Sequence, residues 1–200
     1  MMAAEPLTRE QILAAAEEAL RRYGPAKTTV VDVAQSLGVS HGAVYRHFPT
    51  KAALRAAVVQ QGLEKVGRLL RHISEETTEE TGSAADRLHR WLLALLDFKH
   101  DFACRDPELF GTYTMIDKDG PEIVREHVEV LTRQIADILA DGVEAGEFRD
   151  SVLDGGALAI WDATARFHHP AHRHEWADPK IGAEFERVWK LIRSGLEQQG

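Results

Sequence analysis

Two hundred residues with a single cysteine, Cys104, exclude an internal disulfide framework, and no run of eighteen apolar residues is present to span a bilayer. The formal net charge of −8 is uneven: residues 1–55 hold seven Lys or Arg against five Asp or Glu, and residues 56–200 hold seventeen against twenty-seven. An acidic chain can still meet a polyanion where its positive groups gather on one face, so the weakly basic first quarter and the acidic remainder are expected to do different work.

Nothing before Thr8 has the basic, apolar and small-residue succession of a leader, which predicts a soluble cytoplasmic protein. Leu7, Thr8, Gln11 and Ile12 predict a capping box with a hydrophobic staple, opening a helix whose inner face carries Ile12, Ala16, Ala19, Leu20 and Tyr23. Gly24 and Pro25 end it. Thr29 with Asp32 caps a short second helix with Val33, Ala34 and Leu37 inward, and Gly38 supplies a left-handed stop. Ser40 caps a third, on which Val44 and Phe48 face inward while His41, Gly42, Ala43, Tyr45, Arg46 and His47 remain outside. Pro49 ends it, and Thr50 caps a long helix running from Lys51 to about Ser74.

Two short helices around a Gly turn, followed by a long helix, form a helix-turn-helix. The residues GVSHGAVYRHFPTK resemble the DNA-binding domain of the TetR (tetracycline repressor) family across Leu7 to Leu54. That resemblance implies an interface of Thr29, Ser40, His41, Gly42, Ala43, Tyr45, Arg46, His47 and Lys51 on double-stranded operator DNA. Tyr45, His47 and Lys51 would grip phosphates, and His41, Gly42, Ala43 and Arg46 would read bases. The chemistry agrees: glycine admits close backbone approach, an alanine methyl can meet a thymine methyl, and imidazole or guanidinium donors reach base acceptors.

Beyond the reader, the run Glu75 to Gly82 is a solvated loop rich in Glu and Thr. Ser83 caps a helix carrying Leu88, Trp91, Leu92, Leu95, Phe98 and Phe102. Asp106 and Pro107 open a short one with Leu109, Phe110 and Tyr113, and Pro121 opens a long one that stops near Gly146. Ser151 and Asp154 cap another, with Val152 to Phe167 apolar along two sides, and Asp178 and Pro179 start the last, with a stripe of Ile181, Phe185, Val188, Ile192 and Leu196. The expected fold is all-α, about nine helices: a three-helix DNA-binding domain over residues 1–54 and a helical effector-binding and dimerisation domain over 55–200. A helix buried on two sides needs two partners, and the resemblance implies a homodimer whose four-helix interface uses the last two long helices of each subunit. Twofold symmetry then sets two recognition helices about 34–36 Å apart on an inverted repeat.

The resemblance also implies a cavity for a small-molecule effector, for which Trp91, Phe98, Phe102, Phe110, Tyr113, His127, Trp161, Phe167 and His168 are the candidate lining. Aromatic residues at helical spacing equally fill a core, and both readings stand at this point. The segment from His168 to His174 places four imidazoles in seven residues, which raises a metal-responsive alternative, although Pro170 interrupts the helix that would align His168 with His172. No cofactor is expected. An enzyme is the rival class, but the chain has no P-loop, dinucleotide glycine pattern, nucleophile elbow or HExxH.

Overall fold

The computed structural model describes residues 6–77, 82–116 and 120–197. Its helices are α1 (Arg9–Lys27), α2 (Val30–Ser36), α3 (His41–His47), α4 (Lys51–Ser74), α5 (Ala84–Arg105), α6 (Pro107–Thr114), α7 (Pro121–Glu144), α8 (Gly156–Ala163), α9 (Ala165–His168) and α10 (Ile181–Leu196). Short 3-10 turns cover Asp150–Leu153 and Pro170–His172. Among the described residues there is no strand, only an isolated bridge between Phe148 and Glu197. Of the expected loop from Glu75 to Gly82, residues 78–81 lie outside the described residues.

The chain divides into two compact units that are not contiguous in sequence. One contains residues 1–64 and 104–124, the other residues 65–103 and 125–200. A division after Leu54 isolates the reader but leaves out the segments that pack under it. In the first unit α6 lies along α1: Arg21 Nε donates to Asp106 Oδ1 at 3.1 Å, and the Glu108 side chain fills the space beside Gly24. Gly24 itself sits at φ 75°, where the α1 segment breaks before Pro25, so the regular helix ends where glycine and proline require. The Tyr113 ring end occupies the position a Gly62 side chain would need. Tyr23, expected on the inner face of α1, is 45% exposed instead; it follows Arg22, whose guanidinium rests 5.3 Å above its ring.

In the second unit the apolar faces of α5, α7 and α10 enclose Leu88, Trp91, Leu95, Leu131, Ile135, Phe185 and Trp189. Trp91 Nε1 donates to Gln134 Oε1 at 3.0 Å and Gln134 Nε2 donates to the Gly67 carbonyl at 2.9 Å, so a buried amide satisfies both its ends and ties α5, α7 and the distal half of α4 together. The Glu147 carboxylate accepts from the backbone N–H groups of Ala84 and Ala85, adding to the Ser83 cap of α5 that the sequence predicts. The expected single helix from Val152 to Phe167 is interrupted twice. Gly155 enters α8 at φ 76°, and at Thr164, φ −99° and ψ 2°, α8 gives way to α9, with the Thr164 hydroxyl and N–H both donating to the Ile160 carbonyl. Ile160 and Phe167 face the core as expected, whereas Leu153 and Leu158 are exposed in the single chain.

Candidate nucleic-acid interface and effector site

The recognition helix is built from its cap upward. Ser40 Oγ accepts from the Ala43 N–H at 3.3 Å, Val44 and Phe48 anchor the inner side, and the basic Arg46 and His47 lie in the last turn, where they complement the helix dipole. His41, Gly42, Tyr45 and Arg46 are exposed. His41 and Tyr45, one turn apart, meet edge to face with ring centroids 6.3 Å apart. His47 is half-buried and Lys51 stands at the start of α4, its Nζ 3.4 Å from the Ala26 carbonyl.

Two predicted members of the interface have local roles, and one of them, Ala43, is not on the outer face. Ala43 is only 8% exposed, because the third residue of α3 turns toward the core beside Val44, so its methyl is withdrawn from the face expected to meet bases. Thr29 is exposed but engaged: its Oγ1 accepts from the Asp32 N–H at 3.2 Å and donates to Asp32 Oδ2 at 2.7 Å, completing the capping box of α2. The Thr29 hydroxyl and the Thr29 N–H, both donating to Asp32 Oδ2, hold the Asp32 carboxyl below the usual carboxylate range, with the Lys51 charge adding to the effect. Sequence reasoning passed over Arg9, whose Nη1 donates to the His47 carbonyl at 3.4 Å while its guanidinium lies 4.2 Å over the Phe48 ring. Its place in the first turn of α1 gave no hint that it would end beside α3. Arg21, by contrast, is occupied by Glu17, Glu18 and Asp106.

The nine residues proposed to line an effector cavity separate into groups. Phe110 and Tyr113 belong to the first unit, Phe110 fully buried there and the Tyr113 ring end beside Gly62; burial holds the Tyr113 phenol well above its ordinary pKa. In the second unit Trp91 is a closed core residue through its bond to Gln134, and Phe167 is buried edge-on to Phe185 at 5.4 Å. Phe98 and Phe102 are half-buried on α5, with centroids 6.0 Å apart. Trp161 and His168 stack at 4.1 Å, and His168 Nε2 lies 3.2 Å from the Trp161 carbonyl. His127 is buried, and its Nε2 has no hydrogen-bond partner. A separate open groove of about 480 Å³ runs between α7 and α8 past Thr132, Arg133, Leu153 and Leu158 and includes none of the nine.

The residue that draws part of this set together is Lys99, which sequence reasoning missed. It occupies the position after Leu88, Leu92 and Leu95 in the buried stripe of α5, where the spacing calls for an apolar side chain. Burial pushes the Lys99 ammonium down to about 8. Its field reaches His127 on α7 and His168 on α9: desolvation first, and then the Lys99 charge, bring each imidazole down to about 3, so both are neutral at physiological pH.

The remaining histidines of the His168–His174 run diverge. His169 Nδ1 accepts from the Ala171 N–H at 3.2 Å, His172 Nδ1 lies 2.8 Å from Glu175 Oε1, and His174 is exposed. The Glu175 carboxylate is shared with Arg166, whose Nε donates to it at 2.6 Å. Among the described residues, no group of three or more His, Cys, Asp or Glu is placed to hold a metal ion.

Comparison with known proteins agrees with this architecture. Residues 12–58 match the family model "Bacterial regulatory proteins, tetR family", and residues 84–189 match "Tetracyclin repressor-like, C-terminal domain". The HTH-type transcriptional regulator TtgR of Pseudomonas putida is 42% identical over 69 residues, which is 34% of this chain and 33% of TtgR. The HTH-type transcriptional repressor Rv3405c of Mycobacterium tuberculosis is 42% identical over 87 residues, 43% of this chain and 45% of that protein. The matched segment thus spans between a third and a half of these relatives. The nucleoid occlusion factor SlmA of Sodalis glossinidius is 29% identical with 94% of each chain covered. In three dimensions, SmeT, the repressor of the Stenotrophomonas maltophilia multidrug efflux pump SmeDEF, superposes with a TM-score of 0.66 at 20% identity, covering 97% of this chain and 92% of SmeT. With the second family model alone covering more than half of its residues, and the first lying on the helix-turn-helix, the chain belongs to the TetR family of bacterial regulatory proteins.

Proposed function

We propose that this chain is a ligand-responsive transcriptional repressor that occupies a palindromic operator as a homodimer and leaves it when a small molecule binds the second unit. The observation that carries the reading is the outer face of α3. His41, Gly42, Tyr45 and Arg46 stand exposed on a short helix fixed from behind by Val44 and Phe48, with Lys51 beside them. A helix so anchored offers donors and an open backbone to a major groove, and cations to the flanking phosphates. Relatives that match this segment are described as transcriptional regulators and repressors, and one related structure is a complex of SmeT with triclosan. Catalysis is not part of the reading, and the site of action is the cytoplasm, where operator DNA lies. No helix of the described residues is long and apolar enough to cross a membrane.

The dimer is supported by Leu153, Leu158 and Leu191, which are large, apolar and exposed on the 3-10 turn, α8 and α10; Leu191 is 77% exposed. Exposed leucines of this size are covered when a second copy packs isologously on them. Selection of bound sequences from a random duplex pool by the purified protein tests the whole reading. An inverted repeat with half-sites about one helical turn apart is the expected result, and absence of enrichment at moderate salt would reject it.

A further inference from the structure

We infer that the effector of the second unit is an anion, a carboxylate carried on an apolar or aromatic body, with Lys99 as its counter-charge and His127 as its hydrogen-bond donor. This rests on the ligand-responsive reading above and names the chemical class of the molecule. Inside this unit the Lys99 charge on α5 reaches two imidazoles on other helices, His127 on α7 and His168 on α9. No acidic side chain among the described residues pairs with Lys99, although residues 56–200 carry twenty-seven Asp or Glu. Elsewhere in the same unit acids are deployed against buried or half-buried bases: Asp141 on Arg87, and Glu175 and Glu184 on Arg166. The missing partner at Lys99 is therefore a local property of this position.

An unpaired ammonium held away from water is unfavourable, and so is an imidazole nitrogen with no partner. Lys99 is half-buried in the apolar stripe of α5, where no acid of the described residues stands against it. His127 Nε2 is buried without a partner, so a carboxylate oxygen there would accept from its N–H while the other oxygen meets Lys99. His168 differs. Its Nε2 already faces the Trp161 carbonyl and its ring stacks on the Trp161 indole, which makes it part of an aromatic wall for the body of the ligand. Cations and metal ions are disfavoured, because Lys99 repels them and no carboxylate of the described residues joins the two imidazoles.

The test compares each acid with its neutral isostere on the intact protein: phenylacetate against phenylacetamide, and decanoate against decanamide, by calorimetric titration and thermal shift. The acids are expected to bind wild type at least roughly tenfold more tightly than the amides, with the preference lost in Lys99→Met and kept in Lys99→Arg. His127→Leu should weaken the acids several-fold and leave the amides unchanged. In wild type, bound acid should also raise the titration midpoint of His127 followed by NMR, a response that a purely structural lysine would not give. Equal binding of acids and amides, no acid binding even at about 10 mM, or an acid preference that survives Lys99→Met would overturn the proposal. Operator release by neutral compounds alone would remove the anionic class and leave ligand response standing. Acids that bind through Lys99 without changing operator affinity would support the anion site and reject the regulatory reading.

Discussion

In the first unit the exposed polar side chains of α3, His41, Tyr45 and Arg46, face water. In the second unit His127 is buried with an unpartnered Nε2, and Lys99 is half-buried in an apolar stripe with no acid of the described residues against it. Both regions hold hydrogen-bonding groups, and the physics differs because of where the water is. On α3 an exposed imidazole or guanidinium is solvated at no cost until a duplex displaces the water, whereas inside the second unit an unpartnered polar group lowers stability. An exposed set suits a partner that stays macromolecular and exposed; a buried or half-buried set suits a small molecule that can be enclosed. The steepest way to break this contrast is to fill the close-packed part of the second unit. A side chain at Gly142 would run into the Phe148 ring and approach the Ala84 Cβ to 3.0 Å, so Gly142→Ala should lower stability by about 2–3 kcal/mol, seen as a lower urea midpoint. An unchanged midpoint would show that the interior of this unit is loose, and that burial there does not force pairing.

Acid should separate the regions next. His127 and His168 each fall from the ordinary 6.5 to about 3 through desolvation and the Lys99 charge, with His169 adding at His168 and the Trp161 carbonyl opposing. Their folded-state values lie below the unfolded ones, so their contribution is complete above about pH 6.5 and is lost as pH falls toward 3. At pH 5 the linkage amounts to about 2 kcal/mol per histidine as an upper figure. Thermal melts between pH 7 and pH 5 should show a falling Tm that is flatter in His127→Leu. No such difference would mean that the imidazole is hydrated rather than buried.

Lys51→Ala and His41→Ala address the outer face. The first should weaken binding to all sequences by roughly tenfold and reduce the salt dependence, and the second should change sequence preference more than overall affinity. Competition binding on a selected operator and on scrambled duplex, at two salt concentrations, distinguishes them. Identical effects of both variants on every sequence would erase the division between phosphate and base contacts.

Legibility in the sequence follows the same line between outside and inside. Local signals carried the first unit well: the Thr8 and Thr29 capping boxes, the left-handed Gly38 and the Ser40 cap all stand where their side chains place them. Each is a contact within four residues, which composition and spacing can express. Ala43 was misread because a single helix of seven residues does not reveal which way its third position turns. The interruption at Thr164 was missed because a threonine inside an apolar helix does not by its position mark a break in the backbone. The aromatic set divided between units because Phe110 and Tyr113 follow α6 onto α1, a long-range packing choice that periodicity does not encode. Lys99 was visible in principle, as the one charged residue in the stripe formed with Leu88, Leu92, Leu95 and Phe102, and was lost among aromatic neighbours.

The smallest effect tests the outer face most directly. Gly42 lies in the first turn of α3, and a Cβ there would meet nothing nearer than the Ser40 Oγ at 3.9 Å. Nothing inside the unit therefore requires glycine, and its φ is not in the left-handed region. In a helix, glycine is less favourable than alanine by roughly 0.5–1 kcal/mol, so Gly42→Ala should raise thermal stability slightly. If the bare backbone at Gly42 is where the duplex approaches, the added methyl should weaken operator binding in the same variant. Stability and affinity would then move in opposite directions from one methyl group. A variant that gains stability and keeps its affinity would place the duplex farther from the first turn of α3, and shift base contact toward Tyr45 and Arg46.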